Sequence, residues 1–100
     1  MDNYIIFTSA YNEQLNIEKT IKSVLKQTKL PSQWLIVNDG SLDETQSIID
    51  SYALNNKFIT IINKKKSKVD AGAHVGINWE IAKKYVEIKD WKYIGQLDAD

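Results

Sequence analysis

The sequence predicts an α/β domain whose four strands form an open parallel sheet in the order 3-2-1-4, with helices on both faces. Two observations carry the parallel α/β architecture. Short β-branched or aromatic runs (YIIFTS, WLIV, FITII) alternate along the chain with longer segments whose apolar residues recur at helical spacing. That alternation is the pattern of parallel β-α-β units joined by right-handed crossovers. In addition, residues 34–37 are apolar without interruption and too few for a helix, which reads as a strand covered on both faces. In the expected order strands one and four are neighbours where the winding reverses, and a crevice opens there.

Residues 4–9, YIIFTS, make the first strand, with no breaker inside it. The loop Ala10, Tyr11, Asn12, Glu13 follows, and Asn16 is placed to cap a helix running to about Gln27. Ile17, Ile21, Val24 and Leu25 share one face of that helix, while Glu18, Lys19 and Lys22 lie elsewhere. Pro31 closes the connection before strand two, because it fixes φ and donates no hydrogen bond. Strand two stops at Asn38, Asp39, Gly40 and Ser41, where glycine admits positive φ and the short polar side chains bond nearby backbone. Asp43 or Ser41 is placed to cap a second helix over residues 44–54, which buries Ile48, Ile49, Tyr52 and Ala53.

Residues 58–62, FITII, form strand three. The polar run from Asn63 through Lys64, Lys65, Lys66 and Lys68 to Asp70 reads as a solvated loop, the usual fate of a charge run. A third helix is expected over 71–86 with Ala73, Ile77, Ile81, Ala82 and Tyr85 toward the core. Gly72 and Gly76 weaken it by about 1 kcal/mol each relative to alanine, so they either delay its start or admit close packing or a ligand. Strand four covers 92–97, with Tyr93, Ile94 and Leu97 as its apolar members. His74, Trp34, Trp79 and Trp91 are read as packing residues.

Composition narrows the function. The 100 residues suffice for one small core. At 43% hydrophobic and 26% charged they have an ordinary globular balance. Thirteen basic residues balance thirteen acidic ones, so no global field favours nucleic acid. The absence of cysteine excludes disulfides, thiolate metal sites and cysteine nucleophiles, and suits a reducing compartment. No apolar stretch is long enough for a signal peptide or a transmembrane helix. The expected location is the cytoplasm, with any peripheral attachment to the cytoplasmic membrane face supplied by regions outside this sequence. Because residues 96–100 carry the features of a site rather than a tail, the chain is expected to be the first half of a larger domain, cut after its last motif. Self-association through an exposed fourth strand is the corollary.

In a parallel sheet all strand carboxyl ends lie on one edge. Ser9 and Tyr11, Asn38 and Asp39, Asn63 with the lysine run, and Asp98 to Asp100 are therefore expected to converge. Asp98 and Asp100 fall on the same side of an extended segment, where two hard oxygen donors suit Mg²⁺ or Mn²⁺ shared with substrate phosphates. An Asp-x-Asp pair alone more often marks a solvated strand end; its position after a buried strand is what raises it. Asp39 serves either as a turn former or as the acceptor for a ring N–H of a bound base. Tyr11 either covers the sheet edge or stacks on that base. No G-x-x-x-x-G-K-[ST], dinucleotide fingerprint or G-x-S-x-G is present.

Three pieces in order, Ser9-Ala10-Tyr11-Asn12-Glu13, Val37-Asn38-Asp39-Gly40-Ser41-Leu42-Asp43-Glu44-Thr45 and Leu97-Asp98-Ala99-Asp100, resemble the family 2 glycosyltransferases. The resemblance implies the nucleotide-binding, Rossmann-like N-terminal half of a GT-A fold. It implies that Ser9, Tyr11, Glu13 and Asp39 bind the nucleotide, usually through uracil, that Asp98 lies near the ribose, and that Asp100, with Asp98, ligates Mn²⁺ or Mg²⁺. Asn38 stands where the family more often has Asp. The family's basic residue and Asn-x-Gly pattern are rearranged here among Asp70, Gly72, His74, Gly76 and Asn78, with Lys66, Lys68 and His74 as alternative phosphate contacts. The implied activity is inverting, hexosyl-type transfer from a nucleotide diphosphate sugar, with the acceptor (glycan, lipid or protein) open and the catalytic base expected beyond Asp100. On that reading the isolated chain is inactive. The alternative is a module that binds a nucleotide and transfers nothing.

Overall fold

The computed structural model describes residues 3–65, 71–88 and 90–99. Its strands are β1 (Asn3–Ala10), β2 (Gln33–Asp39), β3 (Ile59–Lys64) and β4 (Trp91–Gln96), and its helices α1 (Ile17–Leu25), α2 (Thr45–Ala53) and α3 (Ala71–Ala82). The sheet order is β3-β2-β1-β4 with every pairing parallel, as the alternation of elements requires.

Every residue of β2 is buried, because helices cover both faces of the sheet. The alternation of side chains along each strand sorts the core into two layers. Trp34 and Ile36 join Ala10, Ile59 and the inward stripes of α1 and α2, namely Ile17, Ile21, Val24 and Ile49. Leu35 and Val37 turn the other way, to Phe7, Ile62 and Ala82, with Trp79 of α3 packed on them. The rings of Phe7 and Trp79 lie 5.5 Å apart at 55°. Trp34 is wholly buried, and its indole Nε1–H donates to Thr8 Oγ1 at 2.9 Å, so the one polar atom of that side chain is matched inside the core.

Several local expectations change. Strand two runs on through Asn38 and Asp39, so both sit within the ladder rather than in the turn. Asn16 is the N-cap residue of α1 but makes no side-chain capping bond; Asn16 N–H and Ile17 N–H instead donate to Glu13 O at 2.9 and 2.7 Å. At α2 the N-cap residue is Glu44, which makes no side-chain capping bond; Asp43, one residue before it, accepts Thr45 N–H at Oδ1 at 2.9 Å, and Ser41 bonds elsewhere. Helix α3 ends at Ala82, and Lys83–Tyr85 forms a 3₁₀ turn instead of a further helical turn. Its sheet-facing stripe is Asn78 and Ala82 rather than Ile77 and Tyr85, which are 42% and 50% exposed. Ala82 is buried and Ile81 packs against the same layer as expected, and a shift of one position, about 100° of helical rotation, is enough to carry the flank at Ile77 outward. A Cβ added at Gly76 would meet nothing within 4 Å, so close packing does not account for that glycine. The side chains of Ala73 and His74 lie outside the described residues.

Strand β4 is exposed along its full length. Tyr93 is 62% exposed, and Trp91 lies open at the sheet edge rather than packed. No helix among the described residues is long and apolar enough to cross a membrane.

Replacing Thr8 by valine keeps its shape but leaves the Trp34 indole N–H buried without a partner. We expect a loss of about 1–3 kcal/mol in urea unfolding with an unchanged m-value.

Candidate functional site

Asn38 and Asp39 are adjacent in sequence and point to opposite faces of the sheet, because side chains alternate along a strand. On the side of α1 and α2, Asn38 Nδ2 donates to Asn63 Oδ1 at 3.1 Å, and Asn38 Oδ1 accepts Ser41 N–H at 3.3 Å. On the α3 side lies Asp39, 0% exposed. Its Oδ1 takes the ammonium of Lys64 at 3.0 Å, and Oδ2 accepts from Asn78 Nδ2 at 3.1 Å. The same amide nitrogen reaches Ser9 Oγ at 2.6 Å. Four secondary-structure elements, β1, β2, β3 and α3, therefore meet in one polar cluster at the carboxyl edge of the sheet.

Lys64 is not part of a solvated loop. It is the last residue of β3, paired in register with Asp39. Two residues beyond Ile62, it shares that residue's face and so turns inward, its side chain only 18% exposed. The signal was in the sequence, since extending FITII by the strand period puts Lys64 on the face of Ile62. Asn78 had a fainter signal: it lies four residues before Ala82, on the same helical face. Both complete the cluster, and neither was singled out for a role with Asp39.

The two loops above the edge are laced together. Asn12 adopts a left-handed conformation, φ 50°, which Asn tolerates better than most residues, and Gly40 sits at φ 70°. Between them Asn12 N–H donates to Ser41 Oγ at 3.0 Å and Leu42 N–H to Asn12 Oδ1 at 2.8 Å. Glu13 N–H donates to Thr45 Oγ1 at 2.8 Å, Gln14 N–H to Asp43 Oδ2 at 3.3 Å, and Glu44 N–H to Gln14 Oε1 at 2.9 Å. The polar residues of both loops are thus spent on orienting backbone, which holds the rim over Ser9 and Asp39 in one shape. Burial pushes the Asp43 carboxyl up, but its bonds with the Thr45 side chain and the Thr45 and Gln14 backbone outweigh this and hold it below its ordinary value. Tyr11 and Glu13 are half-buried in this rim. Glu13 joins it through its backbone.

Past β4, Leu97 N–H donates to Phe7 O at 2.9 Å, and Ala99 O accepts from Thr20 Oγ1 of α1 at 2.9 Å. Leu97 and Ala99 both pack into the layer of α1, and Asp98 between them is exposed. The alternation expected for this segment is therefore present at Leu97, Asp98 and Ala99. Asp100 lies outside the described residues, as do Lys66, Lys68 and Asp70. Of the site residues expected from sequence, Ser9 and Asp39 are joined through Asn78, Tyr11 and Glu13 stand in the rim above them, and Asp98 lies two residues past the end of the neighbouring strand β4. Among the described residues no three acidic or histidine side chains cluster as a metal cage.

The family model described as Glycosyl transferase family 2 matches residues 5–100. A chondroitin synthase of Pasteurella multocida is 33% identical over 95 residues, covering 95% of this chain and 9% of the synthase. A teichuronic acid biosynthesis glycosyltransferase of Bacillus subtilis, named as putative, is 30% identical over 95 residues, 95% of this chain and 34% of its own length. This chain thus spans about a tenth to a third of these relatives. Among solved structures, S. aureus TarS 1-349, in complex with UDP-GlcNAc, superposes with a TM-score of 0.74 at 21% identity, over 98% of this chain and 26% of TarS. The mannosyltransferase PcManGT of Pyrobaculum calidifontis, in complex with GDP-Man and Mn²⁺, gives 0.60 at 19% identity, over 77% of this chain and 24% of its own. These two establish the fold.

Replacing Lys64 by methionine removes the ammonium paired with Oδ1 of the buried Asp39 carboxylate. We expect a loss of about 3 kcal/mol or more by urea titration, the range for breaking a buried pair from one side. Asp43 provides a pH signature. Because its folded-state pKa is lowered from 3.8, its contribution to stability is present above that value and is lost as pH falls through the lower, folded one. Asp43→Asn should flatten that part of the acid limb, seen as a smaller wild-type-to-variant difference in urea midpoint at acid than at neutral pH.

Proposed function

The chain belongs to glycosyl transferase family 2, and on that premise we propose that it forms the donor-binding part of an enzyme that transfers a sugar from a uridine diphosphate sugar to an acceptor, with a divalent ion and inversion at the anomeric carbon. The observation that carries this reading is the polar cluster of Ser9, Asp39, Lys64 and Asn78 at the carboxyl edge of β1 and β2, where open α/β sheets take their ligands. The UDP-GlcNAc bound by TarS supports uracil as the base.

In this reading the Asp39 carboxylate accepts the ring N–H of uracil. Since Asp39 is covered and Lys64 holds its Oδ1, the base replaces one N–H donor by another as the Lys64 side chain swings aside. Lys64 is suited to this exchange, being long, flexible and at the end of an edge strand. Tyr11 stacks on the base, with Ser9 and Glu13 beside it, and Asp98 faces the ribose.

The divalent ion suits the donor set in kind: Asp98 offers an exposed carboxylate, a hard oxygen ligand, and Asp100 is the second carboxylate of the motif. With only these two carboxylates assigned to it, Mn²⁺ or Mg²⁺ would keep water and substrate phosphate oxygens as its remaining ligands. The Mn²⁺ in PcManGT supports this choice. When bound, the ion supplies Lewis acidity that offsets the charge developing on the leaving diphosphate.

Calorimetry with uridine and with UDP, each with and without Mn²⁺, tests the assignment. Asp39→Asn should weaken uridine and UDP alike by about 1.5–3 kcal/mol, the size of a hydrogen bond to a charged group. Asp100→Asn should leave uridine binding nearly intact and abolish the extra affinity that Mn²⁺ gives to UDP. Equal losses in both folded variants would reject the division of roles, and no binding of uridine or UDP to the wild type would reject the function.

A further inference from the structure

Two primary-amide side chains are buried in the layer under α3, and they differ in one respect. Gln33, at the far end of β2 from the site, uses every part of its amide: Nε2 donates to Thr60 Oγ1 and to Tyr85 O, and Oε1 accepts Glu87 N–H. Asn78 uses only half. Its Nδ2 donates to Ser9 Oγ and Asp39 Oδ2, while Oδ1, equally buried, has no partner. Buried amide carbonyls are normally satisfied, so an orientation that leaves one orphaned needs a reason. Asp39 supplies it. A carboxylate only accepts, so the atom facing Oδ2 has to be the NH₂ group, and rotating the amide to satisfy its carbonyl would set oxygen against oxygen.

The fixed amide has a second consequence at Ser9. Because Ser9 Oγ accepts from Asn78, its own proton is available to a group on the open side of the edge. Once the Lys64 side chain swings off Oδ1, Asp39 presents an acceptor and Ser9 a donor, side by side. That pattern complements a base whose edge carries a ring N–H next to a carbonyl, as uracil does. Cytosine presents a bare ring nitrogen next to an amino group, and so meets an acceptor with an acceptor and a donor with a donor.

We propose that Asn78 is a positioning residue that sets the hydrogen-bond polarity of the base site, fixing Asp39 as acceptor and Ser9 as donor and thereby selecting uracil over cytosine. This rests on the nucleotide-binding reading and adds to it a residue that touches no ligand. Asn78→Asp reverses the polarity at nearly constant volume: its carboxylate repels Asp39 and draws the Ser9 proton inward. Asn78→Leu removes both donors without reversing anything.

The test is calorimetry with uridine and cytidine, without metal, on wild type and both variants. The wild type should prefer uridine by about tenfold or more, as expected of a site that hydrogen-bonds a polar edge. Asn78→Asp should bring the uridine-to-cytidine ratio close to one, and Asn78→Leu should weaken uridine more than cytidine. A folded Asn78→Asp that keeps the wild-type ratio overturns the proposal, since a merely structural Asn78 would alter stability and leave selectivity alone. If neither variant folds, side-chain amide ¹⁵N NMR of the wild type decides: slowly exchanging Asn78 NH₂ protons that shift when uridine is added support the clamp, and rapidly exchanging, unshifted ones overturn it. Failure of the wild type to bind either nucleoside would refute the nucleotide reading itself, whereas binding without selectivity refutes only the role of Asn78.

Discussion

Burial of β2 on both faces is the constraint from which the rest of this molecule follows. A central strand with helices above and below has no side for water, so each of its residues must match a neighbour in one of two layers. Apolar residues do so by packing: Trp34 and Ile36 toward α1 and α2, Leu35 and Val37 toward α3. Where the strand turns polar at its carboxyl end, the same rule still holds. Asn38 is matched by Asn63 on one side, and Asp39 by Lys64 and Asn78 on the other. The site is thus the last layer of the core with polar partners in place of apolar ones.

That substitution has an energetic meaning. A buried ion pair contributes little net stability compared with a well-packed apolar pair, yet removing one partner is strongly unfavourable. The Asp39–Lys64 pair is therefore better understood as an arrangement that fixes where a carboxylate sits than as a source of stability. The laced loops act in the same direction. Five hydrogen bonds between residues 12–14 and 41–45 order the rim before any ligand arrives, which reduces the conformational entropy that binding would otherwise have to remove.

The opposite edge of the sheet is less finished. Strand β4 pairs with β1 along its backbone but leaves Tyr93 largely, and Ile94 partly, in solvent. Its role in the site comes from where it ends. Leu97 and Ala99 anchor the segment beyond it to the layer of α1, with Thr20 holding the Ala99 carbonyl, and this turns Asp98 outward. Membership of glycosyl transferase family 2 gives that geometry its context: acidic and polar groups gathered around the point where the winding of the sheet reverses.

Strand identity, the parallel pairing and the convergence of Ser9, Asp39 and Asp98 on one edge were legible in the sequence, because they follow from local periodicity and from the parallel crossovers; the 3-2-1-4 order was an expectation that went with the family resemblance. The three motif segments named the family for the same reason, being contiguous in the chain. What the sequence left open was set by contacts between distant residues. Whether Lys64 ends a strand or begins a solvated loop depends on whether a buried carboxylate stands beside it. Which stripe of α3 meets the sheet goes with Asn78 reaching Asp39 and Ser9 rather than with the helix's own weak apolar pattern, and it leaves Ile77 on the outer flank. Local propensity determined the elements, and the partners that a buried charge and a buried amide require determined how the last layer closed.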